Sequence, residues 1–307
     1  MRAFGVVLVS SWAALALAQE RPALLADPAK KCDSCDEWNA PQEPFRLFGN
    51  TYYVGVHGLS SVLIASDKGL VLLDGGLPQS APLIDASIRK LGFRTEDVRF
   101  ILNSHAHFDH AGGIAALARA SKATVVASAS GAQAIESGLP PVDDPQHGFG
   151  PGGAFPSAKG VRVVSDGEVL RVGDLSVTAH LTPGHTPGST TWTWRSCEGS
   201  RCLDVVYADS LNPVFAPGFR FTGDATHPSI EASFRRSIAT VAALPCDVMV
   251  AVHPGYSGIE QKLRRLKEQP GSAAFVDPGA CRAYAADARK RLDERVADEA
   301  KSPAPAQ

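Results

Sequence analysis

Three histidines and an aspartate fall within six residues, His105-Ala106-His107-Phe108-Asp109-His110. Neutral imidazoles and a carboxylate are the donors that a borderline-soft divalent ion such as zinc prefers. The cluster follows an apolar, strand-like run at 98–102 and precedes the small residues Ala111-Gly112-Gly113. His105 and His107, two apart at a strand end, can turn their rings from one loop onto one ion. Asp109 and His110 lie past Phe108, where a turn can aim them at a neighbouring point. Two four-coordinate zincs that each keep a position for water need six protein ligands, so two more imidazoles are required from elsewhere.

The chain holds nine histidines. His185 lies in the turn Thr182-Pro183-Gly184-His185-Thr186-Pro187-Gly188, directly after a strand-like run, and His253 stands between the apolar run 248–252 and Pro254-Gly255. Both sit where strands end, the usual place for site residues on a rigid scaffold. His57 ends a strand without flanking turn residues; His147 and His227 lie in long loops and His180 within a strand. Surface or packing roles are expected of these four.

The elements that must position the ligands can be read around them. Strands are expected at 52–57, 61–66 and 70–74, with Asp67-Lys68-Gly69 as the turn between the last two. A helix is expected at 79–91 from the spacing of Leu83, Ile84, Ile88 and Leu91. The strand 98–102, a small helix through Ile114 and Leu117, a strand at 124–127 and a short helix at 129–137 follow. Residues 138–160 are rich in Pro and Gly, and a loop this long inside a compact domain is usually functional. Strands are expected at 161–165, 169–172, 175–181, 190–194 and 203–207, then a loop at 209–228. A helix at 230–244, a buried strand at 248–252 and an amphipathic helix at 278–300 close the chain. Strands followed by helices, twice over, suggest two mixed sheets packed face to face with helices outside.

Composition is that of an ordinary folded protein: 307 residues, 44% hydrophobic and 20% charged. A formal charge of −2 and a pI near 6.5 give no electrostatic reason to bind nucleic acid or an acidic membrane. Residues 1–18 read as an export signal, with Arg2 as the positive region, an apolar core at 6–17 and the small-x-small site Ala16-Leu17-Ala18. No later apolar run reaches roughly the 18 residues that a membrane helix needs. A short polar lead-in at 19–44 is expected to wrap the surface, ahead of a single domain at 45–307. The expected compartment is the periplasm, and the expected state a monomer.

Six cysteines suit that oxidising setting, where an even count favours disulfides. Cys197 and Cys202 bracket Glu198-Gly199-Ser200-Arg201 between two strands, a natural hairpin bridge. Cys246 and Cys281 would then close a long loop, contributing about 3–4 kcal/mol by chain entropy. Cys32 and Cys35 form a lone C-x-x-C with neither the βαβ setting of a redox site nor the histidine of a haem attachment, so a local structural bridge is expected.

Taken together, His105-x-His107-x-Asp109-His110, Pro183-Gly184-His185-Thr186-Pro187-Gly188 and His253 resemble the signature of the metallo-β-lactamase superfamily. Leu73-Asp74-Gly75-Gly76 resembles that fold's first signature turn. The resemblance implies an α+β, four-layer αβ/βα sandwich with the metals at one edge between the sheets. The chain looks like a class B β-lactamase of the third subclass, because no cysteine joins the ligands and Tyr207-Ala208-Asp209-Ser210-Leu211 follows; the two later cysteine pairs also look like those of some members. By carry-over, His105, His107 and His185 hold one Zn2+, and Asp109, His110 and His253 the second. The implied reaction is hydrolysis of the β-lactam amide of penicillins, cephalosporins and carbapenems by a zinc-activated water that Asp109 helps orient, conferring antibiotic resistance. Ser210 takes the place of a serine that binds the substrate carboxylate. Asn212 stands where some members have another hydroxyl residue, and Gln146 resembles a position that reaches substrate.

The nearest rival is a thioesterase or lactonase of the same superfamily, in which an aspartate between the equivalents of His185 and His253 bridges the metals. Asp209 and Asp224 fall in that interval, and Asp209 is expected to be a turn residue or a partner to a ligand. A non-catalytic zinc-binding protein is disfavoured, since a structural site needs only four ligands and no open position. If the export reading holds, mass spectrometry of the secreted protein finds Gln19 as its first residue; an intact Met1 contradicts it.

Overall fold

The structure, a computed structural model, describes residues 24–270 and 272–301, so the expected export signal and cleavage site lie outside the described residues. Two sheets run through it. The first takes seven strands in chain order: β1 (Phe45–Phe48), β2 (Thr51–Tyr53), β3 (Val62–Ser66), β4 (Gly69–Leu73), β5 (Val98–Leu102), β6 (Thr124–Ala127) and β7 (Arg162–Val163). The second is made of β8 (Val169–Val172), β9 (Leu175–Leu181), β10 (Thr190–Glu198), β11 (Arg201–Ala208) and β12 (Val248–Ala251). Its strands also lie in chain order, with β8 and β12 at the edges. Eight α-helices are described: α1 (Cys35–Trp38), α2 (Ala81–Lys90), α3 (Phe108–Ala111), α4 (Ile114–Ser121), α5 (Ala129–Ser137), α6 (Glu231–Ala243), α7 (Ile259–Glu268) and α8 (Ala280–Lys301).

Strands β4 to β7 pair in parallel, as do β11 and β12. Parallel neighbours need crossovers, and helices supply them: α2, then α3 with α4, then α5 in the first sheet, and α6 between β11 and β12. On β3 and β4, Val62, Ile64, Val71 and Leu73 face the second sheet and pack with Val177, Ala179, Trp192, Val205 and Val250. Their neighbours Leu63, Leu70 and Leu72 point the other way and join Ile84, Ile88 and Leu117 of the crossover helices. Strands buried on both faces read as continuous apolar runs, which is why they were legible. Behind the second sheet, Val206, Ala208, Met249 and Ala251 lie under Phe234, Ile238, Tyr284 and Ala288 of α6 and α8. Helices, sheet, sheet, helices is the four-layer order expected. Strand β9 differs, burying Leu175, Val177 and Ala179 while Ser176, Thr178 and His180 are half-exposed.

Several expectations need correction. The strand placed at 52–57 ends at Tyr53, because Val54 and Val56 are buried inside a tight turn in which Val56 N–H bonds the Leu59 carbonyl. Strands β1 and helices α1 and α7 were not expected. Helix α7 has only Ile259, Leu263 and Leu266 as apolar residues among charged ones, over ten residues. Strands β10 and β11 run further toward each other than expected, since Cys197 and Cys202 are register partners. All three disulfides join the expected pairs, Cys32–Cys35, Cys197–Cys202 and Cys246–Cys281.

Where β4 ends, the backbone meets the metal-type cluster with no side chain between them. Gly75 N–H donates to the His110 carbonyl at 2.8 Å and Gly113 N–H to that of Gly76 at 3.1 Å. A Cβ on Gly113 would collide with the Gly75 carbonyl oxygen, and one on Gly75 with the Ile114 amide. Gly113→Ala is therefore expected to lower the unfolding free energy by about 1–3 kcal/mol in urea titrations. Gly152→Ala meets open space and should cost under about 0.5 kcal/mol; equal effects would contradict the close approach.

Candidate metal centre

The site forms at the carboxyl ends of β5 and β12. Beyond Leu102 the chain leaves β5 through Asn103 and Ser104, and both are held by Asp74 at the end of the neighbouring β4. Asp74 Oδ1 accepts from Asn103 Nδ2 (3.1 Å) and Ser104 N (2.8 Å), and Oδ2 from Ser104 Oγ (2.6 Å). The Tyr207 hydroxyl of β11 lies 2.9 Å from the same Oδ2, so one buried carboxylate joins both sheets. Burial pushes this carboxyl up to about 6, against the pull of His110 and the surrounding donors. His107 then precedes α3, whose single turn presents Asp109 and His110. The Pro183–Gly188 turn, tightened by a Gly184 N–H to Thr186 carbonyl bond of 3.0 Å, presents His185. His253 follows β12 and opens a 3-10 turn, Pro254–Ser257.

The six expected ligands come together as two adjoining groups. Asp109 Oδ2 lies 3.3 Å from His110 Nε2 and 3.4 Å from His253 Nε2, and those two nitrogens are 3.3 Å apart. A tetrahedral ion with bonds of about 2.0–2.1 Å separates its ligand atoms by roughly 3.3–3.4 Å. The triangle has that size. His105, His107 and His185 form the second group, with donor atoms all within 4.8 Å of one another; His105 is equally close to Asp109 and His110.

Each ring must also aim its lone pair inward, and the other nitrogen shows how. His105 Nδ1 donates to Asp209 Oδ1 at 2.7 Å, and His107 Nε2 sits 3.1 Å from both oxygens of Asp144. His185 Nδ1 donates to the Asn212 carbonyl at 2.7 Å, and His253 Nδ1 to that of Gly58 at 3.3 Å. Such bonds fix tautomer and ring orientation in metal sites. His110 is different: its Nδ1 is buried without a hydrogen-bond partner among the described residues, 3.8 Å from Asp74 Oδ2. Burial, reinforced by the neighbouring imidazoles, holds His105 and His185 well below the ordinary imidazole range, so both are neutral donors. Burial alone would raise Asp109, but His110 and His253 outweigh it and hold its carboxyl well below the usual range. The two imidazoles held neutral, the ionised carboxylate and the tetrahedral spacing fit a divalent metal.

Above the donors opens a cleft of about 370 Å³, lined by Trp38, Phe108, Gln146, Ser210, Asn212 and Tyr256 beside the ligands. Gln146 Nε2 lies 3.3 Å from His107 Nδ1 and 3.4 Å from His185 Nε2. Ser210 Oγ accepts from Asn212 N at 3.4 Å. The three residues expected to touch substrate thus share one cleft. Trp38 and Tyr256 were not expected there, nor was Asp144 behind His107. Trp38 stands on α1, just past the Cys32–Cys35 bridge, with its carbonyl accepting from Gly58 N at 2.9 Å and its ring 5.3 Å from that of His253. The lead-in does more than wrap the surface: it walls the site.

The remaining histidines lie elsewhere. His147 bonds the Pro140 carbonyl, His180 bonds Thr193, His227 bonds Thr226, and His57 is 3.6 Å from Glu260. Asp224 accepts from Thr226 and His227 in its own turn, which pulls its carboxyl down to about 2. Ser87-Ile88-Arg89-Lys90 has the Ser-x-x-Lys spacing of serine β-lactamases, but it lies on α2, where Lys90 pairs with Glu43 at the surface.

A family model described as the metallo-beta-lactamase superfamily matches residues 54–276. The chain is 54% identical to the solved structure of the Rm3 metallo-beta-lactamase, with 89% of this chain and 100% of that chain covered and a TM-score of 0.85. It is 52% identical to MEM-A1, a subclass B3 metallo-beta-lactamase from a soil metagenome library, covering 86% of this chain and 99% of that one at a TM-score of 0.83. Among curated sequences it is 30% identical over 213 residues to a hydroxyacylglutathione hydrolase of Anaeromyxobacter dehalogenans, covering 69% of this chain and 67% of the relative. Asp209→Ala and Asp144→Ala should each keep the metal stoichiometry while weakening affinity about 10–100-fold in chelator competition. Outright loss of one metal from Asp209→Ala would make Asp209 a ligand.

Proposed function

The chain belongs to the metallo-beta-lactamase superfamily, and on that premise we propose that it is a zinc-dependent β-lactamase acting on penicillins, cephalosporins and carbapenems. The observation that carries this reading is the joining of two donor groups beneath a cleft that also holds Ser210 and Asn212. The likeness to Rm3 along 89% of this chain supports it. Two Zn2+ ions are proposed, one held by His105, His107 and His185, the other by Asp109, His110 and His253. Zinc bound there supplies Lewis acidity and brings the pKa of bound water to about 7.

The protein's own part is to hold and orient. Asp109, kept ionised between two imidazoles, accepts a hydrogen bond from the attacking water and so aims its lone pair at the lactam carbonyl carbon. Ser210 and the Asn212 amide are donors for the substrate carboxylate. The Gln146 amide, beside His107 and His185, is placed to meet the reacting end of the substrate. Trp38 and Phe108 limit water at the mouth. The water's oxygen bonds the carbonyl carbon as the lactam C–N bond breaks, and the ring nitrogen takes up a proton that the water gives up.

Periplasmic export, with antibiotic resistance as its consequence, is part of the proposal, and the three disulfides support an oxidising compartment. A thioesterase is the second reading, favoured by the hydroxyacylglutathione hydrolase relative. Against it stands Asp209, which engages the outer nitrogen of His105. Purified protein is expected to bind about two zincs and to open a penicillin, a cephalosporin and a carbapenem, with activity abolished by a chelator. Turnover of a glutathione thioester or a homoserine lactone without any β-lactam turnover would overturn the proposal.

A further inference from the structure

On α8, the guanidinium of Arg291 lies 5.1 Å from the ring centroid of Tyr256, and its Nε and Nη2 are buried without a hydrogen-bond partner among the described residues. Two buried N–H groups of a half-buried cation are unfavourable unless negative charge is brought near them, and a ring face supplies only part of that. Tyr256 is 43% exposed and lines the cleft beside Ser210, Asn212 and His253.

The hydroxyl of Tyr256 is prepared to donate. Asn212 Nδ2 donates to it at 3.0 Å, so the phenol oxygen is already an acceptor, and among the described residues nothing accepts its proton. Ser210 is in the same state, its Oγ accepting from Asn212 N at 3.4 Å with no acceptor for its own proton among the described residues. A second tyrosine, Tyr284 on α8, fixes this end of the cleft: its hydroxyl donates to the Asp209 carbonyl at 2.9 Å and accepts from Leu211 N at 3.0 Å. Its ring lies 6.2 Å from that of Tyr256. Two hydroxyls with uncommitted protons, spaced by an amide and backed by an unpaired cation, match an anion with two acceptor oxygens.

We propose that Tyr256 is a substrate-binding residue that donates, beside Ser210, to the carboxylate of the β-lactam, with Arg291 behind its ring as the fixed positive charge for that anion. This rests on the β-lactamase reading. The guanidinium draws electron density from the ring and strengthens the phenol as a donor. It also explains how a cleft with Asn212 in place of a hydroxyl residue can hold a carboxylate firmly.

The test compares a penicillin with its methyl ester on the zinc-loaded enzyme. Tyr256→Phe should raise KM for the free acid roughly tenfold more than for the ester, as loss of one hydrogen bond to a charged group implies, with the effect in KM rather than kcat. Arg291→Met should raise the free-acid KM in the same selective way but less, and the two effects should be non-additive. Equal KM changes for acid and ester, or none, would overturn the assignment and leave Tyr256 a packing residue. If Tyr256→Phe loses zinc or folds poorly, the acid-to-ester comparison in Arg291→Met decides alone. Wild-type enzyme that turns over neither compound would instead sink the β-lactamase reading on which the assignment rests.

Discussion

The metal centre depends on the direction in which buried imidazole lone pairs point. Five imidazole rings crowd together, each with its centroid 4.4–5.1 Å from that of a neighbour, and a free imidazole can present either an N–H or a lone pair. Asp209, Asp144 and the carbonyls of Asn212 and Gly58 remove that freedom for His105, His107, His185 and His253. These acceptors come from three separate segments, at 58, 144 and 209–212. The geometry of the site is therefore a property of the tertiary fold, and the local motif alone would not specify it.

The fold supplies that constraint through its sheet ends. Asp74 takes donors from β5's exit and lies against Tyr207 of the opposite sheet, so both sheets are registered at the point where the ligands emerge. Its carboxyl, raised by burial, is held by these bonds rather than by solvent. The glycines beside it let the α3 turn lie against the β4 exit, backbone on backbone. Strands β5 and β12, one from each sheet, both end at this edge, and the site lies beyond their carboxyl ends, where ligands bind in layered α/β folds.

Much of this was legible in the sequence, for physical reasons. The ligands could be read because a strand followed by a turn fixes where the next few side chains go, and because His185 and His253 are marked by Pro and Gly after apolar runs. The layers could be read because strands covered on both faces are apolar throughout. What was hidden depends on long-range contacts. A lone carboxylate such as Asp144 looks the same in sequence whether it meets solvent or an imidazole. Trp38 sits in a polar stretch whose only mark is C-x-x-C, and Arg291 sits among the charges of α8. Residues 54–57 continue an apolar pattern that the chain buries in a turn instead of a strand.

Six preorganised donors at one edge of the sandwich are proposed to hold two separate ions. Anomalous diffraction at the zinc edge, from crystals of the zinc-loaded protein, tests this most directly. Two peaks are predicted, one among His105, His107 and His185 and one among Asp109, His110 and His253. A single peak shared by both groups, or a peak coordinated by Asp209, would contradict the account.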